Sequence, residues 1–175
     1  KMRFYYQKTY LNGIDERIIR REKKILNENY SKYIVHAVNN QEGNGIIIPY
    51  FPFGTLNEVL NSEPKIILTF VDKIVILLEI ATALNDLHSH DQYHGNICSH
   101  FIQLSSNKNA YIINFCYDKK SESQATELKG PFYYRSKESM ETLDESVNTE
   151  QKNDIYSFGV LFHEVITEIN PETRL

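Results

Sequence analysis

The sequence predicts an α+β fold in which a small part that contains strands precedes a larger helical part. Strand-like segments at 2–6, 34–38 and 46–48 all lie in the first third of the chain. The two strongest helical patterns follow them, at 68–90 and 154–168. Strands and helices that separate along the chain in this way are typical of α+β proteins.

Composition and charge describe an ordinary globular domain. The chain has 175 residues, 41% of them hydrophobic and 24% charged, which is enough for one domain with a core. The net charge of −4 gives no electrostatic reason to expect nucleic acid as a partner. Cys98 and Cys116 lack metal-ligand spacing, so we predict no metal site and a reducing compartment, the cytoplasm. No apolar run reaches the ~18 residues of a membrane span.

One further helix, expected over 14–28, carries an unexpected charge. Its apolar face holds Ile14, Ile18, Ile25 and Leu26. Glu22 falls on the same face, four residues after Ile18. A carboxylate among apolar positions needs a partner, so Glu22 is a candidate functional residue.

Two shorter elements are also predicted. The segment 39–45, which links the two later strands, has the Asn- and Gly-containing composition of a hairpin. The segment 55–62 predicts a short helix.

The two long helices are expected to pack through apolar faces. In 68–90 the recurring residues are Val71, Ile74, Val75, Leu78, Ala81 and Leu84. In 154–168 they are Phe158, Val160, Leu161, Phe162, Val165 and Ile166. Because the second set covers most of the circumference, we expect that helix to be deeply buried, with Asp154 as its N-cap.

Seven segments stand in an informative order along the chain. They are Arg21–Leu26, Ile48–Leu56, Ala83–Ser89, Tyr93–Asn96, Asn114–Cys116, Gly130–Glu138 and Asp154–Leu161. Together they resemble the landmarks of the protein kinase family: helix C, the hinge, the end of helix E, the H-R-D loop, the D-F-G motif, the A-P-E motif and helix F. The specific matches are the Asp154–Leu161 segment and the residues Leu87 and His88. The resemblance covers the whole chain.

The resemblance implies a bilobal protein-kinase-like fold. Residues 1–50 would form part of the small β lobe, from about strand 3 through helix C to the hinge. Residues 51–175 would form the helical large lobe through about helix F. We therefore expect this chain to be a kinase-like domain that is truncated at both ends.

The resemblance also shows that the catalytic positions are substituted. Asn96 stands where the family has the aspartate that accepts the substrate proton, and Cys98 stands at the catalytic-loop lysine. Asn114 replaces the D-F-G aspartate that binds Mg²⁺. Phe101, five residues after Asn96, replaces the asparagine that binds the second metal ion. An amide is a poor general base, and a phenyl ring does not ligate a hard cation.

The nucleotide-binding positions are partly kept. Ile48, Pro49 and Phe51 match the hinge, which acts through backbone groups; Pro49 lacks an N–H, whereas Phe51 retains one. Gln103 stands where the family packs a leucine under the base.

The sequence also offers candidate residues for the ion pair that the family forms between helix C and strand 3. Glu22 matches the glutamate that pairs with a lysine in the family, or it is an ordinary exposed helical residue. Lys1 is one candidate for that lysine.

Other matches are structural or regulatory. His94, Phe115 and Leu26 match the apolar spine that links the lobes, and Asp154 matches the aspartate that anchors the catalytic loop. Glu138 matches the A-P-E glutamate. The activation-segment residues that a kinase would phosphorylate are Ser121, Ser123 and Thr126. Gly95 replaces the H-R-D arginine, so a phosphate there would lack its usual partner.

Three functional hypotheses follow. The first is a pseudokinase that acts as a scaffold or allosteric partner of other proteins in phosphorylation signalling, with no cofactor. The second is an active but atypical Ser/Thr protein kinase, which would need ATP and Mg²⁺. The third is a truncated fragment without independent function, in which Phe158 and Phe162 are exposed.

Overall fold

The computed structural model is an α+β protein, as the sequence predicts. It describes residues 5–10, 15–28, 30–38, 45–115, 132–141 and 146–173. No helix among these residues is long and apolar enough to cross a membrane.

Two small antiparallel sheets contain the strands. In the first, β1 (Tyr5–Thr9) pairs with β2 (Gly45–Pro49). In the second, β3 (Ile102–Leu104) pairs with β4 (Ala110–Ile112). Tyr5 and Tyr6 of the strand predicted at 2–6 therefore belong to β1, whereas residues 2–4 lie outside the described residues.

The strand predicted at 34–38 is wrong. Ile34 makes one isolated bridge to Ile112, and the segment otherwise has no strand pairing. Ile34 and Val35 are buried all the same, because they pack into the core. A buried segment has the same apolar sequence pattern whether or not it pairs with another strand. Of the predicted hairpin, residues 39–44 lie outside the described residues.

The helices begin at residues with capping chemistry. Their bounds are α1 (Glu16–Asn27), α2 (Leu56–Leu60), α3 (Phe70–His88), α4 (Lys137–Glu141) and α5 (Val147–Thr167). Thr55 and Thr69 each form a capping box, at the start of α2 and α3. Three 3-10 turns complete the described elements: Ser99–Phe101, Phe132–Tyr134 and Pro171–Thr173.

Helix α5 begins one and a half to two turns earlier than predicted, and this corrects the expected role of Asp154. The N-cap is Ser146, whose side chain accepts a hydrogen bond from the N–H of Thr149. Asp154 therefore lies inside the helix, where its buried carboxylate has other partners.

The predicted apolar faces of the long helices are also partly wrong. On α3 the exposed residues include Val71, Ile74, Val75 and Leu78. The buried residues are Ile76, Leu77, Ile80, Ala83, Leu84 and Leu87. On α5 only Leu161 and Val165 of the predicted apolar set are buried, and Phe162 is exposed. Both helices are apolar on several faces, so hydrophobic periodicity alone does not identify the face that packs against the core.

One core cluster joins the two sheets to the helices. Ile25 and Leu26 of α1 and Ile46 of β2 belong to the same cluster as Leu84 of α3 and Leu161 of α5. This continuous packing fixes α1 against the segment that precedes residue 115, where the candidate site lies.

Candidate functional site

A cavity of about 240 Å³ lies where β1, β2 and α1 meet residues 100–101 and 113–114. Its apolar wall is formed by Leu26, Val35, Ile46, Ile48, Phe101 and Ile113. Its polar end is formed by Lys8, Glu22, His100 and Asn114. The fold thus brings the predicted residues Glu22, Ile48, Leu26 and Asn114 to one place.

Glu22 is fully buried and accepts hydrogen bonds from three residues. The ammonium of Lys8 lies 2.8 Å from each carboxylate oxygen. The hydroxyl of Tyr10 donates at 2.8 Å, and the N–H of Phe115 donates at 2.9 Å. A buried carboxylate is stable only with such compensation, so Glu22 is a structural centre of the site. The alternative that Glu22 is an exposed helical residue is wrong.

The lysine that pairs with Glu22 is Lys8. Lys1, the candidate named from the sequence, lies outside the described residues. Lys8 also donates to Oδ1 of Asn114 at 2.7 Å. An ammonium has three N–H protons, and here three oxygens receive them: both oxygens of Glu22 and Oδ1 of Asn114.

Asn114 has a left-handed backbone, with φ of 69°. Asparagine tolerates this conformation better than most residues. The turn places the Asn114 side chain on the cavity and sends the fully buried Phe115 ring into the core. There the Phe115 ring lies 4.8 Å from the ring of His94, centroid to centroid. Two of the residues that the resemblance assigns to the apolar spine, His94 and Phe115, are therefore in ring contact.

His94 is buried and held in its neutral form. Nδ1 accepts a hydrogen bond from the N–H of Asn96, so Nε2 is the nitrogen that donates to the carbonyl of Ile113, at 2.9 Å. Burial lowers the pKa of His94 below its usual value. A neutral, doubly hydrogen-bonded imidazole fits a structural role.

Asp154 anchors the loop that contains His94. One carboxylate oxygen accepts from the His94 N–H at 2.8 Å, and the other accepts from the Gly95 N–H at 2.7 Å. Nε2 of His88 lies 2.9 Å from the first oxygen. Gly95 has φ of 82°, a backbone region that favours glycine.

The degenerate catalytic positions are enclosed. Asn96 is almost fully buried, and Cys98 is a buried free thiol. Phe101 lies on the apolar wall of the cavity, where it offers no ligand atom. Next to Cys98, the hydroxyl of Ser99 donates to Glu164 at 3.0 Å, inside the core.

Four further predicted residues also lie apart from the cavity lining. Pro49 ends β2, and Phe51 is buried against the ring of Tyr111 at 5.2 Å. Gln103 lies on β3, and its Oε1 is buried without a hydrogen-bond partner in the described part of the chain. Glu138 is exposed on α4. The activation-segment residues Ser121, Ser123 and Thr126 lie outside the described residues.

Sequence reasoning missed four residues of the site. Lys8, Tyr10 and His100 are lone polar residues without a local pattern, so no sequence signal identified them. Arg21 begins the segment that resembles helix C, and no sequence signal gave it a role of its own; it donates to the carbonyl of Phe115 at 3.0 Å and to that of Tyr93. Its guanidinium also lies 4.1 Å from the centroid of the Tyr93 ring.

The donor set does not fit Mg²⁺. This cation prefers carboxylate and water oxygens in octahedral geometry. Among the lining residues that the structure describes, the only carboxylate is Glu22, which already accepts four hydrogen bonds, and the Asn114 oxygen accepts from Lys8. Within the described ranges, no three His, Cys, Asp or Glu side chains are grouped to hold a metal ion.

Comparison with known proteins agrees with this architecture. A family model described as protein tyrosine and serine/threonine kinase matches residues 8–173. A serine/threonine-protein kinase-like protein of Arabidopsis thaliana is 28% identical over 79% of this chain and 40% of its own length. Calmodulin-binding receptor-like cytoplasmic kinase 2 of the same plant is 29% identical over 80% of this chain and 35% of its own length.

A third relative, LRR receptor-like serine/threonine-protein kinase FEI 2 of Arabidopsis thaliana, is 30% identical over 90% of this chain and 28% of its own length. The chain thus spans less than half the length of each of these relatives. The kinase family normally uses ATP and Mg²⁺. The family model covers nearly all of the sequence. The fold and the ion pair of Lys8 with Glu22 agree with that match. This chain belongs to the protein tyrosine and serine/threonine kinase family.

Proposed function

We propose that this chain is a pseudokinase domain, which keeps the kinase fold but does not transfer phosphate. It acts as a scaffold or allosteric partner of an active kinase or another signalling protein. The observation that carries this proposal is the bond between Lys8 and Asn114. The lysine that would meet nucleotide phosphates donates instead to the amide that replaces the metal-binding carboxylate.

The substitutions at the metal-binding and general-base positions also support the proposal. Phosphoryl transfer depends on positioning and on neutralisation of charge by metal ions. The described site supplies Asn114 in place of one metal ligand and Phe101 in place of the other. The general base, which typically contributes about 10²–10⁴-fold, is an amide at Asn96.

The scaffold role is supported by the way α1 is held. Glu22 and Arg21 of α1 both bind the main chain of Phe115. A domain whose mobile parts are already fixed presents one constant surface to a partner. Such a surface lowers the entropic cost of association.

An active but atypical Ser/Thr kinase is the second candidate. The ion pair of Lys8 with Glu22, at 2.8 Å, favours it because active kinases need that pair. It would require Asn114 to release Lys8 and to bind a metal ion through its amide oxygen. The cofactors would then be ATP and Mg²⁺.

Partners and location follow from the proposed role. The partners would be proteins, and the net charge of −4 gives no attraction to nucleic acid. We infer a cytoplasmic position, which the name of the receptor-like cytoplasmic kinase relative supports.

A phosphotransfer assay on the full-length protein tests the proposal. We expect no transfer from labelled ATP, with Mg²⁺ or Mn²⁺, either to the protein itself or to a general protein substrate. The matched variant Asn114→Ala should give the same background. Transfer by the natural protein that Asn114→Ala abolishes would establish the second candidate instead.

A gain-of-function variant extends the same assay. The combination Asn96→Asp, Cys98→Lys, Phe101→Asn and Asn114→Asp restores the catalytic base, the catalytic-loop lysine and the two metal ligands. If the fold is otherwise that of a kinase, this variant should gain measurable transfer. Cells that lack the protein should be rescued equally by the natural form and by Asn114→Ala, because a scaffold needs no phosphotransfer.

A further inference from the structure

An exposed apolar stripe runs along the first half of helix α3 and includes one residue just before the helix. Its members are large side chains whose exposed fractions range from 40% to 74%: Ile67, Phe70, Val71, Ile74, Val75 and Leu78. The members within the helix recur three or four residues apart, so they share one face. The opposite face, with Ile76, Ile80 and Leu84, is buried in the core.

The apolar stripe is large enough for a specific interface. A fully exposed large side chain presents roughly 150–200 Å², so at their exposed fractions the six members leave about 500–700 Å² in water. Contiguous apolar patches of more than a few hundred Å² mark interaction sites. Two such stripes in contact would bury on the order of 1,000–1,400 Å², which reaches the roughly 1,000 Å² that a specific interface needs.

The members of the apolar stripe are arranged symmetrically along the chain. They form pairs that lie equally far on either side of the point between residues 72 and 73: Val71 with Ile74, Phe70 with Val75, and Ile67 with Leu78. A two-fold axis through that point reverses the helix and returns the same set of apolar positions. In a dimer with this symmetry, Val71 of one copy faces Ile74 of the second copy. Two antiparallel copies of α3 therefore cover apolar side chains with apolar side chains along the whole stripe.

The two charged residues at the centre of this segment do not oppose such contact. Asp72 accepts a hydrogen bond from Lys108 at 2.7 Å, and Lys73 forms an ion pair with Glu168 at 2.8 Å. Because both charges already have partners within the chain, a second copy that covers the stripe leaves neither of them buried and unpaired.

We propose that the apolar stripe of α3 is a dimerisation surface, on which a second copy of this chain binds with its own α3 antiparallel. Val71 and Ile74 lie next to the two-fold axis, and Ile67 and Leu78 lie at the ends. Because the buried area is at the lower end of specific interfaces, the dissociation constant lies in the range of about 1–100 μM. The surface is separate from the cavity lining, and dimerisation does not depend on whether the chain transfers phosphate.

Sedimentation equilibrium of the full-length protein tests the dimer. We expect the mean mass to rise from that of one copy to that of two copies between about 1 and 100 μM. Val71→Glu and Ile74→Lys should each raise the dissociation constant by about tenfold or more, because each places a charge against apolar side chains of the second copy. The matched control is Val38→Glu, at an exposed valine outside the stripe, which should leave the dissociation constant unchanged.

A mixture of the two charged variants tests the antiparallel arrangement. In an antiparallel pair, the carboxylate of Val71→Glu faces the ammonium of Ile74→Lys. Equal amounts of the two variants should therefore associate about tenfold more tightly than either variant alone. Both substitutions replace exposed residues, so the melting temperatures should stay close to that of the natural protein at concentrations where it is monomeric.

Three results would overturn the inference. A full-length protein that remains monomeric at 100 μM would show that a second copy does not cover the stripe, and another segment of the same polypeptide would then be the occupant. A dimer with the same dissociation constant in Val71→Glu would place the interface elsewhere. A mixture no tighter than the single variants would exclude the antiparallel arrangement. None of these results bears on phosphotransfer, so the pseudokinase function is tested separately.

Discussion

Glu22 of α1 accepts a hydrogen bond from the main-chain N–H of Phe115, at 2.9 Å, across 93 residues of sequence. The preceding residue, Arg21, donates to the carbonyl of the same Phe115 at 3.0 Å. Two consecutive residues of one helix thus hold both backbone groups of one residue in the D-F-G-like segment. The position of α1 and the conformation of that segment are therefore coupled.

Glu22→Gln should lower the free energy of unfolding by about 2–4 kcal/mol, because Lys8 loses its counterion and buried donors lose a charged acceptor. Urea unfolding followed by circular dichroism measures the change. The control on the same helix is Glu16→Gln, whose exposed ion pair with Arg20 should contribute less than ~0.5 kcal/mol. Equal effects of the two variants would contradict the assigned role of Glu22.

Arg21→Ala should loosen the D-F-G-like segment more than it destabilises the protein globally. The variant removes two hydrogen bonds from a charged donor and the contact with the Tyr93 ring. Amide hydrogen exchange at Phe115 should speed up by about tenfold or more, equivalent to at least ~1.4 kcal/mol of local stability. Arg20→Ala, one residue away and exposed, should leave that exchange rate unchanged.

Asp154→Asn should destabilise the protein by about 2–3 kcal/mol, because one carboxylate accepts from the main chain at His94 and Gly95 and also contacts His88. Thermal and urea unfolding report the loss. The control is Asp91→Asn, since Asp91 is exposed and has φ of 55°, which asparagine tolerates. An equally large loss of unfolding free energy in Asp91→Asn would show that the hydrogen bonds of Asp154 do not stabilise the protein.

Stability should fall as the pH drops below the usual pKa of histidine, about 6.5, and His94 should contribute to this fall. Burial lowers the pKa of His94 in the folded protein, so below about pH 6.5 the unfolded chain binds a proton at this residue that the folded chain does not. The slope from one such group is at most ~1.4 kcal/mol per pH unit. It persists until the pH reaches the lowered pKa of the folded state.

The comparison of the natural protein with His94→Gln isolates this contribution from the other histidines. Unfolding free energies measured at pH 7 and pH 5 should differ less in the variant than in the natural protein. A pH dependence that stays the same in both proteins would exclude His94 as a source.

The sequence identified Glu22 by its place on an apolar helical face, and the structure confirms that this carboxylate is buried. The identity of its partner was beyond sequence reasoning, because Lys8 lies 14 residues away on β1, beyond the end of the strand predicted at 2–6. His100 and Tyr10 were not predicted as site residues for a related reason. A lone polar residue shows its role only when the chain brings other groups to it.

The orientation of α3 shows a second limit. Its sequence has apolar residues on most faces, and the periodic set with Val71 and Leu78 turned out to be exposed. Hydrophobic periodicity identifies a face only where the opposite face is polar. Packing against α5 and β4 selected the buried face that contains Ile76 and Ile80.

The sequence by itself determined the α+β class, the order of the kinase-like segments and the loss of ligating and basic groups at Asn96, Phe101 and Asn114. These are properties of residue type and of spacing along the chain, and chain order preserves them. Only the tertiary structure decided that Lys8 donates to both Glu22 and Asn114 and that His100 lines the same cavity. Hydrogen bonds between residues about a hundred positions apart depend on how the elements pack, and that packing is a property of the whole fold.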